Sequence, residues 1–246
     1  MLTIFGILLL CTATVKADQL VFDLSGDETR LPFGVDVDVA HDNNYQPGAT
    51  YQQLYSRAEF PGRVRLTQVA FASGLVSGTP GVATHDFVVR LGTAATRVSA
   101  PQAVFDVNRG PDLMIVFAGP LSSMQRRDGS FDLLIRLAAP FDYDPQAGDL
   151  LFDVVLNTPT GYMGDGDLYF MAGDSDSVSS VFSTVASPVG TLDEQFRYGL
   201  RTRFTFTPAQ VETVPAPNRQ RWCSSAPGWR ECTPPPSERS ALTKLE

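Results

Sequence analysis

Phe196-Arg-Tyr-Gly-Leu-Arg201-Thr-Arg-Phe-Thr-Phe206 is the stretch on which the fold reading turns. Phe196, Tyr198, Leu200, Thr202, Phe204 and Phe206 recur at every second position, and Arg197, Arg201 and Arg203 stand between them. A period of two puts the aromatic set on one face of a β-strand and the guanidinium groups on the other. Such a row of arginines reads first as a solvated or edge-protecting face, and second as a ligand-binding strip.

The same alternation extends through most of the chain. Val35, Val37 and Val39 alternate with Asp36 and Asp38, and Phe87, Val89 and Leu91 repeat the pattern. Short strands are expected at 19–23, 50–55, 103–107, 113–117, 131–137, 150–156, 168–171 and 178–182, separated by Gly, Pro, Asp and Asn turns. Ser56 to Phe60 reads as a compact turn closed by Pro61-Gly62. Val64 and Leu66 are on one phase while Val69 and Phe71 are on the other, which marks a β-bulge inside one strand. No stretch carries a helical repeat of useful length. Residues 18–210 are therefore expected to form an all-β domain, an antiparallel β-sandwich of jelly-roll-like type.

The two ends read differently. Ile4 to Leu10 is apolar, and Val15-Lys-Ala17 offers the small residues that a signal peptidase reads, so residues 1–17 are expected to be a signal peptide. That segment is shorter than the roughly 20 apolar residues a membrane-spanning helix needs. After Val214-Pro-Ala-Pro217 the composition turns to Pro, Arg and Ser, and residues 211–246 are expected to be a disordered tail. Cys11 belongs to the signal segment, whereas Cys223 and Cys232 lie in the tail, where pairing and free thiols both remain open. The domain has no cysteine, so its fold rests on a hydrophobic core.

Charge narrows the partners. Within residues 18–210 there are 13 Arg, no Lys and 23 Asp plus Glu, a formal charge of −10 on a chain whose total is −8. An acidic domain argues against nucleic acid and is compatible with cation binding or with solubility outside the cell. Asp165-Gly-Asp167 and Asp174-Ser-Asp176 place carboxylates two apart in short loops, a candidate calcium set; Asp36, Asp38, Asp42 and Asn44 form another acidic group. None matches the twelve-residue calcium loop, and Asp-Gly turns produce the same pattern without a metal.

Catalytic signals are sparse. His41 and His85 are the only histidines, and His85-Asp86 lacks a nucleophile element to complete a triad. A glycosidase would need two carboxyl groups about 5–9 Å apart, and Glu28, Glu59 and Glu194 are far apart in sequence. Tyr45, Tyr51 and Tyr55, or Phe141, Tyr143 and Tyr162, are candidate sugar-stacking sets, although alternating aromatics in strands more often form core. Both tryptophans, Trp222 and Trp229, lie in the tail.

Several segments carry a family resemblance when taken in order: Tyr51-Gln-Gln-Leu-Tyr55 with Phe60 and Val69-Ala-Phe71, Phe105-Asp-Val-Asn-Arg-Gly-Pro-Asp112, Val116-Phe-Ala-Gly-Pro-Leu121, Phe131-Asp132, Pro140-Phe-Asp-Tyr-Asp-Pro145, Gly148-Asp-Leu-Leu-Phe-Asp153 and Tyr198-Gly-Leu-Arg-Thr-Arg-Phe204. Together they resemble the exported domains of bacterial PEP-CTERM proteins over most of residues 19–208. The resemblance implies a β-sandwich followed by Val-Pro-Glu-Pro, a transmembrane helix and an arginine cluster, recognised by an exosortase during export to the envelope or an exopolysaccharide matrix. The expected function is that of a secreted, non-catalytic envelope or matrix protein engaging polysaccharide or calcium. The alternative is a polysaccharide-active hydrolase or lyase on the same scaffold.

In this chain Val214-Pro-Ala-Pro217 stands where Val-Pro-Glu-Pro belongs, and no apolar helix follows. A GC-rich codon choice for residues 218–232, shifted by two bases, encodes an apolar run, and one for residues 233–237, shifted by one, encodes arginines. The tail is then the remnant of a sorting signal displaced by a frameshift near Pro217; a natural disordered tail is the other reading. The nucleotide sequence decides between them. An apolar run in an alternative frame is expected, and its absence there leaves the natural tail.

Overall fold

Alternation of apolar and polar residues yields strands almost throughout, and they stack as two antiparallel sheets. The computed structural model describes residues 17–24, 26, 28–29, 33, 47–74, 82–124, 126, 128–163, 170–192 and 197–209. The strands are β1 (Asp18–Phe22), β2 (Glu28–Thr29), β3 (Thr50–Tyr55), β4 (Val64–Ala72), β5 (Val82–Thr93), β6 (Met114–Met124), β7 (Phe131–Tyr143), β8 (Leu150–Met163), β9 (Phe170–Asp174), β10 (Val178–Ser183), β11 (Thr191–Leu192), β12 (Tyr198–Leu200) and β13 (Thr202–Pro208). The order β1-β13-β4-β7 makes a four-stranded sheet, and β11-β10-β3-β8-β5-β6 a six-stranded one; β12-β9-β2 is a small third sheet. The antiparallel β-sandwich expected from the sequence is the observed fold. The Val35–Val39 alternation, residues 1–16 of the signal segment and residues 210–246 lie outside the described residues.

The core lies between the two large sheets. Val64, Leu66, Val69 and Phe71 of β4, with Phe204 and Phe206 of β13, meet Tyr51 and Tyr55 of β3, Phe87 and Val89 of β5, and Phe152 and Val154 of β8. Aromatic rings span the gap: Tyr55 to Phe204 at 4.9 Å and Phe71 to Phe152 at 5.2 Å between centroids, both edge-on. Edge-on pairs of this kind contribute about 0.5–1.5 kcal/mol each beyond the area they bury.

The stretch from Tyr198 to Pro208 feeds two sheets. Tyr198–Leu200 pairs with β9, and Thr202–Pro208 pairs with β1 and β4. At the switch, the Arg201 N–H donates to Met171 O (2.8 Å) and its carbonyl accepts from the Ala72 N–H (3.1 Å). Because β13 lies between β1 and β4, its arginines do not protect an edge. The buried margin of β12 is completed by a side chain: Gln53 Nε2 donates to Leu200 O (3.0 Å), and the Leu200 N–H donates to Gln53 Oε1 (2.8 Å). Tyr51 Oη also donates to Gln53 Oε1 (2.6 Å), which fixes the amide orientation. Gly199 leaves room for this contact, since a Cβ there would lie 2.9 Å from Gln53 Nε2.

The expected bulge is in β4. Leu66 faces Phe206 and Gln68 faces Thr205, so Thr67 is the extra residue, and its hydroxyl donates to Thr205 O (3.1 Å). All four apolar side chains on either side of it point into the core. The Ser56 turn is a single 3-10 turn over Arg57–Glu59. Residues 103–107 depart from expectation. They form no strand; Phe105–Asn108 is a one-turn helix, α1, and Val104 alone bridges to Val189. This segment crosses over the outer face of the six-stranded sheet, where it has no ladder to join, and placement overrides β propensity.

Deleting Thr67 should force either Val64 and Leu66 or Val69 and Phe71 onto the solvent face. Thermal or urea unfolding is expected to show a loss larger than the roughly 3–5 kcal/mol of one large-to-small core substitution, with Thr67→Ala far milder. Equal stability of deletion and substitution would remove the bulge from this role.

Candidate functional site

The outer face of the six-stranded sheet holds the most deeply buried charge among the described residues. Gln52, Asp153 and Arg90 stand side by side on β3, β8 and β5. Asp153 is fully buried. Its Oδ2 accepts from Arg109 Nε (2.5 Å) and Gln52 Nε2 (3.0 Å), and its Oδ1 lies 3.4 Å from Arg90 Nη1. Arg109 follows α1 and also pairs with Asp106. Burial pulls the Arg109 guanidinium down, but its bonds to Asp153 and Asp106 outweigh that, and its pKa is raised. Asn108, also fully buried, donates to Gln52 Oε1 and Gln102 O and accepts from Thr96 Oγ1 and the Gln102 N–H.

This network fastens residues 94–113 onto the sheet. Leu54, Leu151 and Ala94 form a small apolar cluster beneath them, with Val98 and Leu113 packed against it. Asp149 accepts from the N–H groups of Arg57 (3.0 Å) and Val98 (2.7 Å), and Asp112 from the Thr93 N–H and hydroxyl. Gly110 permits the close crossing; a Cβ there would lie 2.0 Å from Thr93 O. The acceptors of Asp153 are occupied by donors of the fold, so the arrangement can lock a segment and offers no free base. The signal for it was a lone carboxylate in the apolar run Leu150-Leu-Phe-Asp-Val-Val-Leu156, which the sequence reading passed over.

The outer face of the four-stranded sheet is different. Val21, Arg203, Ala70 and Leu134 form one row across β1, β13, β4 and β7, and Gln19, Thr205, Gln68 and Arg136 form the next. In β7 the register shifts between Leu133, opposite Phe71, and Phe131, opposite Ala72, so Asp132 is a bulge that turns Phe131 outward. The Arg201 and Arg203 guanidinium carbons lie 5.2 and 4.7 Å from the Phe131 ring centre, within cation–π range. Arg201 also pairs with Asp23 (2.7 Å) and donates to Gly129 O (3.1 Å). Burial pushes the Asp132 carboxyl above its ordinary range, opposed by N–H bonds from the backbone, among them that of Arg126 (2.8 Å). Nothing in the alternation of residues 131–137 announced that Phe131 faces outward, because the bulge exists only in the pairing.

The other expected site residues are placed as follows. Asp174 and Asp176 are exposed at the β9–β10 turn, where Asp176 pairs with Arg197 (2.9 Å). Asp165 and Asp167 lie outside the described residues, as do His41 and Tyr45. Among the described residues no three His, Cys, Asp or Glu side chains converge as a metal set. Tyr51, Tyr55, Phe141 and Tyr143 are buried core and present no ring to a sugar. Burial raises the pKa of all three tyrosines. Tyr162 is placed by its backbone in β8, and His85 stands in β5 opposite Leu121 and Pro159.

These features define a class, an antiparallel β-sandwich with one face locked under a crossing segment and the other carrying stacked arginines. Compared with known proteins, the chain matches no family model, no curated protein and no solved structure. Among the described residues no helix is long and apolar enough to cross a membrane.

Replacing Asp153 by Leu leaves Arg90 without its carboxylate and Arg109 with Asp106 alone, and should cost about 3 kcal/mol, the low end for a broken buried pair because both guanidinium groups keep some exposure, whereas adding Arg109→Met and Arg90→Met should recover most of it. Urea midpoints of the single and triple variants measure the difference. A neutral single substitution would show that Asp153 does not hold the crossing segment.

Proposed function

We propose that the protein is an exported, non-catalytic β-sandwich of the PEP-CTERM type, residing in the cell envelope or exopolysaccharide matrix, where it holds polysaccharide on the outer face of its four-stranded sheet. The observation that carries this reading is the pair Arg201 and Arg203 stacked on Phe131, on the outer sheet face of an otherwise acidic domain. Stacking restrains guanidinium groups before a ligand arrives, which lowers the entropic cost of binding. The buried ionisable groups support the non-catalytic part of the reading, since Asp153 and Asp149 bond to the frame itself.

Glycan-array screening of the purified protein, paired with an assay for new reducing ends or unsaturated sugars, tests the proposal. Retention of at least one polysaccharide without turnover is the expected outcome. Depolymerised product would transfer the protein to the hydrolase or lyase class.

A further inference from the structure

The outward side chains of the four-stranded sheet differ in charge from the rest of the domain. Arg65, Arg136, Arg201 and Arg203 face outward with Asp23 and Asp142, four cations against two carboxylates on a domain whose formal charge is −10. Arg65 and Asp142 neutralise each other through two bonds of 2.7 and 2.8 Å, and Arg201 is matched by Asp23. Arg136 and Arg203 have no carboxylate partner among the described residues. Arg203 Nε is moreover buried without a hydrogen-bond acceptor among them. Gln19, Gln68 and Thr205 lie in the row of Arg136 and add neutral donors and acceptors.

From this charge pattern we infer that the face binds a linear acidic polysaccharide, with Arg203 and Arg136 receiving carboxylates of uronate residues. The inference rests on the polysaccharide reading above and deepens it to a ligand class and two residues. Arg203 and Arg136 stand on strands two apart, about 10 Å across the sheet, and two residues, about 7 Å, offset along it. The positive strip therefore runs obliquely over β4. On β4 the strip passes between Ala70, buried beside Arg203, and Gln68, which stands beside Arg136. A planar guanidinium held on an aromatic ring presents its remaining N–H groups in a fork that matches a carboxylate, in a way a flexible ammonium does not. The absence of Lys from the domain fits recognition of that kind. An extended polymer with a carboxylate on successive sugars reaches both positions, and the neighbouring glutamines meet its hydroxyl groups.

Affinity for polygalacturonate, dextran, monomeric galacturonate and single-stranded DNA, measured by titration calorimetry on the full chain, tests this. Polygalacturonate should bind, more tightly than the monomer or dextran, and more weakly near 1 M salt, where the screening length falls to about 3 Å. Arg203→Gln with Arg136→Gln should weaken it by roughly tenfold or more, in keeping with the strength of charge-assisted hydrogen bonds. Arg136→Gln alone, at an exposed position where folding is not at stake, should weaken it about threefold. Arg97→Gln, an exposed arginine on the opposite side of the sandwich, should change little. Unchanged affinity in the Arg136 and Arg203 variants overturns the site but leaves polysaccharide binding standing. Preference for dextran, monomer binding equal to the polymer, or DNA binding with the same arginine dependence overturns the ligand class. Failure to bind any polysaccharide, neutral or acidic, removes the underlying reading as well.

Discussion

A strand that changes sheets leaves a margin of backbone inside the protein, and the fold depends on how that margin is satisfied. Leu200 turns one side of its backbone to Ala172 in β9 and the other to the interior, where a lone N–H and C=O would cost several kcal/mol in lost hydration. The amide of Gln53 takes both, as a neighbouring strand would. Thr202 continues the arrangement, its hydroxyl meeting Tyr55 Oη at 2.9 Å and donating to Leu200 O at 2.7 Å. Without these partners β12 and β13 could not run as one stretch through the end of the sandwich, and the third sheet would lose its connection to the first.

Gln52 and Gln53 are consecutive, and β geometry sends them to opposite faces. Gln53 looks into the core toward Leu200, while Gln52 looks out to Asp153, Asn108 and Phe105 O. A single dipeptide on β3 thus joins three layers: the four-stranded side with its switching strand, the six-stranded sheet, and the segment that crosses it. That places the ionic lock on one side of the molecule and leaves the outer face of the other sheet free of any described crossing segment. The proposed ligand face follows from this division.

Much of the sandwich was legible in the chain because alternation is a local signal that burial enforces. The phase change between Leu66 and Val69 even announced the bulge, since one strand must put both apolar pairs on the same side; the pairing places it at Thr67. The second bulge, at Asp132, was not legible: Phe131, Leu133 and Ile135 already alternate, and only the pairing of Ala72 with Phe131 turns that ring outward. Residues 103–107 read as a strand for a similar reason. Their composition fits one, yet only Val104 finds a bridge partner, and Phe105 is buried with its ring against Gly190 instead. The stacking tyrosines showed the reverse case, where an aromatic set that could have faced a sugar is sealed into the core.

By itself the sequence determined the fold class, the absence of disulfides from the domain, its acidic charge, and which face of the last strand carries arginine, because each of these depends on residue type and on a period of two along a single strand. The tertiary structure alone decided which arginines lack a carboxylate among the described residues, that Phe131 stands beneath Arg201 and Arg203, and that Asp153 is paired while Arg136 and Arg203 are not. Those facts depend on register between strands distant in the chain, and register follows from how bulges and buried amides align the sheets, a collective property with no local signature.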